Sequence, residues 1–126
     1  MRKYIILLGI CAGLVASVSS ADIGISTDLM QSIEDTNKSL ASNISINDAK
    51  ASTADANDLT NMFGQVETFF VQKGDAQDAV DLAKKSKELT MDITKFVAAK
   101  NYEAATNAAT TVSRNCRTCH TFYKKE

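Results

Sequence analysis

Three side chains close to the end of this 126-residue chain could do chemistry together: Cys116, Cys119 and His120, in the run Cys116-Arg117-Thr118-Cys119-His120. Two thiols three residues apart with an imidazole directly after them form the pattern of covalent haem attachment. Each thiol adds across a vinyl group, and the histidine takes an axial position on the iron. On a helix turning by about 100° per residue, positions i, i+3 and i+4 share one face, so all three groups reach the same edge of a flat macrocycle. The same thiols have plainer readings, as a dithiol redox pair or as half of a zinc site. A thioredoxin-like pair sits in a βαβ setting, however, and zinc requires a second cluster of ligands. This chain supplies neither: it has three cysteines and one histidine, so that only Cys11 is left over as a soft ligand. The motif predicts one covalent haem c, held through thioethers at Cys116 and Cys119 with His120 as its proximal ligand.

The start of the chain predicts a compartment. Arg2 and Lys3 precede an apolar run from Tyr4 to Val18, and Ser19-Ser20-Ala21 ends it with small side chains suited to a signal peptidase. Residues 1–21 are read as a signal peptide cleaved after Ala21, which removes Cys11, and residues 22–126 as a single exported domain. The apolar run is shorter than the roughly 20 residues that cross a bilayer, so no stable membrane insertion is expected. In an oxidising compartment two neighbouring thiols tend to close into a disulfide, and capture of both by haem avoids that outcome. Loss of Arg2 and Lys3 lowers the 14 cations to 12 against 15 acids, a net charge of about −3. The charges are spread along the chain as solvated helix faces, with no patch for nucleic acid.

The elements that must carry the motif read as helices. The chain has no proline, and beyond the start of the first helix its glycines are Gly64 and Gly74, a composition that favours a few long helices. Helix 1 is expected near 27–45, capped by Ser26 or Thr27, with Leu29, Ile33, Leu40 and Ile44 along one side. Ser45 to Ala51 is then the longest connector. Asn47 or Ser52 would cap helix 2, whose seam is Leu59, Met62, Val66 and Phe69 with Phe63 and Phe70 beside it. Gly74 would close that helix, and Asp75 with Asp78 resembles the capped start of helix 3, near 75–99. Helix 3 carries Ala79, Leu82, Ser86, Leu89, Ile93 and Phe96. Lys100-Asn101 makes a short turn into helix 4, which runs from Tyr102 with Tyr102, Ala105, Ala109, Val112, Cys116, Cys119 and Tyr123 on its inner side. The expected fold is all-α, an antiparallel up-down-up-down four-helix bundle with haem on the C-terminal helix.

The position of the motif restricts the rest of the iron site. Only Thr121 to Glu126 follow it, so a sixth ligand must come from upstream. It cannot be a second histidine, which leaves a methionine, a lysine, water or nothing. With an exported four-helix chain ending in C-x-x-C-H, then an aromatic and a basic residue (Tyr123 and Lys124), the protein resembles the class II c-type cytochromes. These include cytochrome c′ and its low-spin, methionine-ligated relatives. The resemblance spans the whole mature chain in architecture, while its specific motif lies in the last fifteen or so residues. It implies haem c, a periplasmic location, and one-electron transfer between periplasmic donor and acceptor proteins. Its five-coordinate members instead bind small gases such as nitric oxide or carbon monoxide, and homodimers are frequent among its members. It also implies a distal residue from helix 1, where this chain reads Asp28-Leu29-Met30, making Met30 the distal iron ligand. The chain departs from the family in two places: the first cation after the signal is Lys38, and Lys124 stands where many relatives have arginine.

Each of these residues also has a structural reading. Met30 shares a seam with Ile33, Asn37, Leu40 and Ile44 and would serve as adaptable filler; Met62 competes from helix 2, and Met91 lies off its seam. Arg114, Arg117 and Lys38 are candidate propionate partners and equally ordinary surface charges. Gly64 costs about 1 kcal/mol in mid-helix relative to alanine and would make room for haem or a neighbour. No serine, histidine and acid arrangement for nucleophilic catalysis exists, since the sole histidine is assigned to iron. The expectation is a carrier without catalytic residues, not an enzyme.

Overall fold

The computed structural model describes residues 25–123. Expectations that concern the leader at 1–21, Cys11 and Lys124 lie outside the described residues. The described residues form four helices: α1 (Thr27–Ser45), α2 (Ala49–Lys73), α3 (Gln77–Ala98) and α4 (Tyr102–Tyr123). No strand occurs among the described residues. Each helix packs on the next, and α1 meets α4; the α2–α3 face is the most extensive and the α1–α4 face the smallest of these pairs. No described helix is long and apolar enough to cross a membrane.

The helix ends follow from capping chemistry. Ser26 Oγ accepts the N–H of Leu29 at 3.1 Å and starts α1, satisfying one of the donors that a helix leaves open at its first turn. The next start differs from expectation. Asn47 takes a left-handed conformation (φ 57°) and ends the α1 turn, donating its N–H to the Ile44 carbonyl at 3.0 Å. Asp48 is therefore the first extended residue, and its Oδ1 caps α2 by accepting the N–H of Ala51 at 2.9 Å. Ser52, the other expected cap, lies inside α2 and is fully buried. The connector at 45–51 consequently shrinks to residues 46–48.

Gly74 closes α2 at φ 83°, as expected, with its N–H on the Phe70 carbonyl. The start of α3 is also a correction: Ala76 occupies the cap position, no side chain caps the helix, and Ala76 is only 3% exposed. An acid at that position would face the core unpaired, so Asp75 stays outside while Asp78 remains in the first turn, where it complements the helix dipole. Asn101 caps α4 as expected, its Oδ1 accepting the N–H of Ala104 at 3.1 Å after Lys100 turns left-handed.

The core is built mainly of small and aliphatic side chains, joined by Phe63 and Phe70. Leu40, Ile44, Leu59, Ile93, Val97 and Val112 are its largest fully buried apolar members, and alanines of α3 and α4 let those helices approach closely. Ile33, Leu40 and Ile44 are buried on α1 as expected, with Leu29 partly so. On α2 the innermost aromatics are Phe63 and Phe70, while Met62 and Phe69 are half-buried. On α3 the deepest line is Ala79, Ala83, Ser86, Thr90, Ile93 and Val97, with Leu82, Leu89 and Phe96 at its flanks. A helix between two neighbours has its centre line in the corner between them. Small residues fit that corner, and larger ones cover the shoulders.

Hydrogen bonds also cross between helices. Thr60 and Thr90 hydroxyls meet at 2.8 Å, and Glu67 pairs with Lys87, both between α2 and α3. Asn115 Nδ2 donates to Ser86 Oγ at 3.2 Å between α4 and α3.

Depth decides what truncation should cost. Ile93→Ala removes a side chain with no exposure and should lower the unfolding free energy by about 3 kcal/mol. Met91→Ala, on a residue 46% exposed in the same helix, should change it by about 0.5 kcal/mol or less. Urea unfolding of both variants, followed by circular dichroism, checks the contrast.

Candidate functional site

The thiols lie where α4 still belongs to the core. The inner face of α4 runs through the buried residues Ala105, Ala108, Ala109, Val112 and Asn115, and both Cys116 and Cys119 are partly buried against the same core. Neither is in a disulfide. His120, one residue later, is exposed, as are Arg114 and Arg117. An apolar side of small residues carries both sulfurs inward, while the imidazole, close to Cys116 in helical spacing, lies more than a turn beyond Asn115, the last buried position among the described residues of α4, and is exposed.

Burial alters the thiols. Loss of hydration pushes the Cys116 thiol up to about 11, with the neighbouring Cys119 acting in the same direction. Cys119 is raised as well, again by burial. These are poor nucleophiles in neutral solution, unlike the depressed thiols of dithiol redox sites. No group of three or more His, Cys, Asp or Glu side chains among the described residues is arranged to hold a metal ion. A tetrahedral zinc site would need such convergence. Thioether attachment needs instead two thiols along one edge with an imidazole next to them, and the donor set on α4 fits that requirement.

Met30 is half-buried on α1 and packs against the same core as the two cysteines. Met62 is also half-buried, on α2. Lys38 is exposed and engaged with Glu34 one turn earlier at 2.6 Å, an ion pair that raises its ammonium pKa. It is therefore already partnered. At Gly64 an added Cβ would meet only the Lys87 stem, at 3.9 Å, so packing against a neighbour does not demand a glycine there. The groove beside it, lined by Asn61, Gly64, Gln65, Thr68, Phe69 and Gln72, includes none of the thiol, imidazole or methionine groups.

Sequence reasoning missed the polar partners near the motif. Asn37 Nδ2 on α1 donates to Ser113 Oγ on α4 at 2.8 Å, and Asn115 immediately precedes Cys116. The signal was present: Asn37 and Ser86 interrupt otherwise apolar seams. Their partners depend on which helices become neighbours.

The raised thiol implies a pH signature in the haem-free folded chain. Cys116 is protonated both folded and unfolded below its ordinary range; above it the folded form holds the proton more tightly, so this thiol's contribution to stability is lost as pH rises towards about 11. Alkylation followed by mass spectrometry should show Cys116 slow at pH 8, accelerating as pH approaches that value, and fast at pH 8 once urea unfolds the chain. Equal rates with and without urea would contradict its burial.

No family model, no curated protein and no solved structure matches this chain.

Proposed function

We propose that this protein is a periplasmic monohaem c-type cytochrome that carries one electron between donor and acceptor proteins. In this reading residues 1–21 are the export signal, residues 22–126 the single domain, and the fold an up-down-up-down bundle with haem c on α4. The observation that carries it is the side of α4 on which the two thiols lie. Cys116 and Cys119 are unpaired and packed against the core, next to an exposed imidazole. A large apolar group joined to both sulfurs would take part in that core.

The antiparallel arrangement has support in the cross-helix contacts. Thr60 pairs with Thr90 while Glu67, further along α2, pairs with Lys87, earlier along α3. Between α1 and α4, Asn37 meets Ser113, and the carbonyl of Asn47 accepts the hydroxyl of Tyr102 at 3.2 Å. Ten residues forward from Asn37 to Asn47 correspond to eleven back from Ser113 to Tyr102. In the other direction Met30 is seven residues before Asn37 and His120 seven after Ser113. Two turns on each helix bring the methionine and the imidazole to the same height across the α1–α4 seam. That register favours Met30 over Met62, which belongs to α2.

When bound, haem supplies the one-electron couple. The residues of this chain do the rest. Cys116 and Cys119 would hold the group through their sulfurs, His120 and Met30 would ligate its iron, and the apolar surroundings would limit water. Two protein ligands kept in both oxidation states would keep rearrangement on electron transfer small.

Two measurements test the reading. A chain matured in an export compartment with cytochrome c maturation should have the mass of residues 22–126 plus one haem after denaturation; an unmodified chain would refute attachment. The oxidised protein should be low-spin with a sulfur-to-iron charge-transfer band that Met30→Ala abolishes and Met62→Ala leaves intact. A high-spin wild type that takes up carbon monoxide rapidly would instead make gas binding the function.

A further inference from the structure

We propose that the Asn37–Ser113 hydrogen bond is a register lock between α1 and α4, and that Asn37 is a positioning residue which sets the height of Met30 against His120. The proposal rests on the reading of Met30 as distal ligand.

Three observations carry it. The first is location: the bond is part-buried, joins residues 76 apart in sequence, and lies on the smallest of the neighbouring helix faces. A small face has little interdigitated surface to prevent one helix from sliding along the other. A directional contact there has more influence than it would on the broad α2–α3 face.

The second is that Asn37 is a poor choice for stability alone. Its Oδ1 is buried and accepts no hydrogen bond from the described residues. Reversing the amide would bury the nitrogen unpaired instead, so one end lacks a partner either way. The neighbouring seam positions Ile33, Leu40 and Ile44 are aliphatic and buried, and a leucine at 37 would continue them. A seam polar residue that satisfies only half of its hydrogen-bonding capacity is explained better by register than by stability, as with single polar residues in helical zippers.

The third is the equality of the two arms. Seven residues separate Asn37 from Met30 and Ser113 from His120. At about 1.5 Å per residue each arm is roughly 10 Å, so a slip of a single residue at the lock moves the thioether by about 1.5 Å relative to the imidazole. A displacement of that size must be absorbed by strain in the Met30 side chain or lost from the sulfur–iron bond, and either lowers the fraction of molecules in the ligated state. Asn37 thereby governs the fraction of molecules with Met30 in place, while touching neither iron nor haem in this account.

The test uses the mature, haem-loaded protein. In Asn37→Leu the melting temperature should hold or rise, while the reduced protein binds carbon monoxide roughly fivefold more tightly, the shift expected from losing one hydrogen bond that favours the ligated state. The charge-transfer band should weaken in step. The exchange variant Asn37→Ser with Ser113→Asn rebuilds the bond from the opposite side and should return both readouts towards wild type. Wild-type carbon monoxide affinity in Asn37→Leu overturns the lock, and so does a lowered melting temperature with unchanged affinity. If Asn37→Leu does not fold, Ser113→Val removes the same bond and carries the same two outcomes. Met30→Ala in the same assay separates the levels of the argument. If the band survives Met30→Ala, the distal assignment is wrong and the lock falls with it. If Met30→Ala abolishes the band while Asn37→Leu leaves it intact, only the lock is wrong.

Discussion

The structure depends on one helix doing two jobs. The inner face of α4 must pack against its neighbours through small side chains, and that same face, continued by two turns, bears Cys116 and Cys119. The alanines at 105, 108 and 109 leave little bulk of their own to define a core. The larger apolar contribution comes from the opposing helices, from Leu40, Leu59, Phe63 and Ile93. Anything attached through the two sulfurs would meet the core from a helix face that has little bulk of its own.

Much of this was legible from the chain. The bounds of α1, its Ser26 cap, the left-handed Gly74 and the Asn101 cap all follow from local chemistry that depends on no distant partner. The misses share a cause. Asp48 displaced Asn47 as a cap because Asn47 was taken up in a left-handed turn, a choice between two residues with equal local merits. Ala76 replaced an acid at the start of α3 because that position faces inward, which only the assembled core decides. The expected seam of α3 holds at Ala79, Ser86 and Ile93, but Leu82, Leu89 and Phe96 lie on its flanks while Ala83, Thr90 and Val97 are buried, because the helix packs between two neighbours. At the candidate site the spacing of Cys116, Cys119 and His120 was plain in the sequence. The height of Met30 relative to them was not, since it depends on contacts between residues such as Asn37 and Ser113 that are distant in the chain.

Polar side chains inside the bundle form pairs between different helices: Thr60 with Thr90, Ser86 with Asn115, and Asn37 with Ser113. Buried hydroxyls and amides are costly when unpaired and directional when paired. Greasy surfaces of Ala, Val and Ile tolerate many offsets of one helix along another, whereas such pairs tolerate few. The unpaired Ser52 hydroxyl in α2 shows that satisfaction is incomplete even at full burial.

The hydrogen bond from Tyr102 to the Asn47 carbonyl joins the start of α4 to the linker that ends α1. Both linkers are short, and each contains a left-handed residue next to a side-chain cap, Asn47 with Asp48 and Lys100 with Asn101. At this end of the pair α1 turns into α2 and α4 starts from the turn after α3, and the Tyr102 hydrogen bond ties α1 and α4 to each other. With the Asn37–Ser113 bond about ten residues further along, the pair is tied at two heights roughly 15 Å apart, which restricts its tilt as well as its slide.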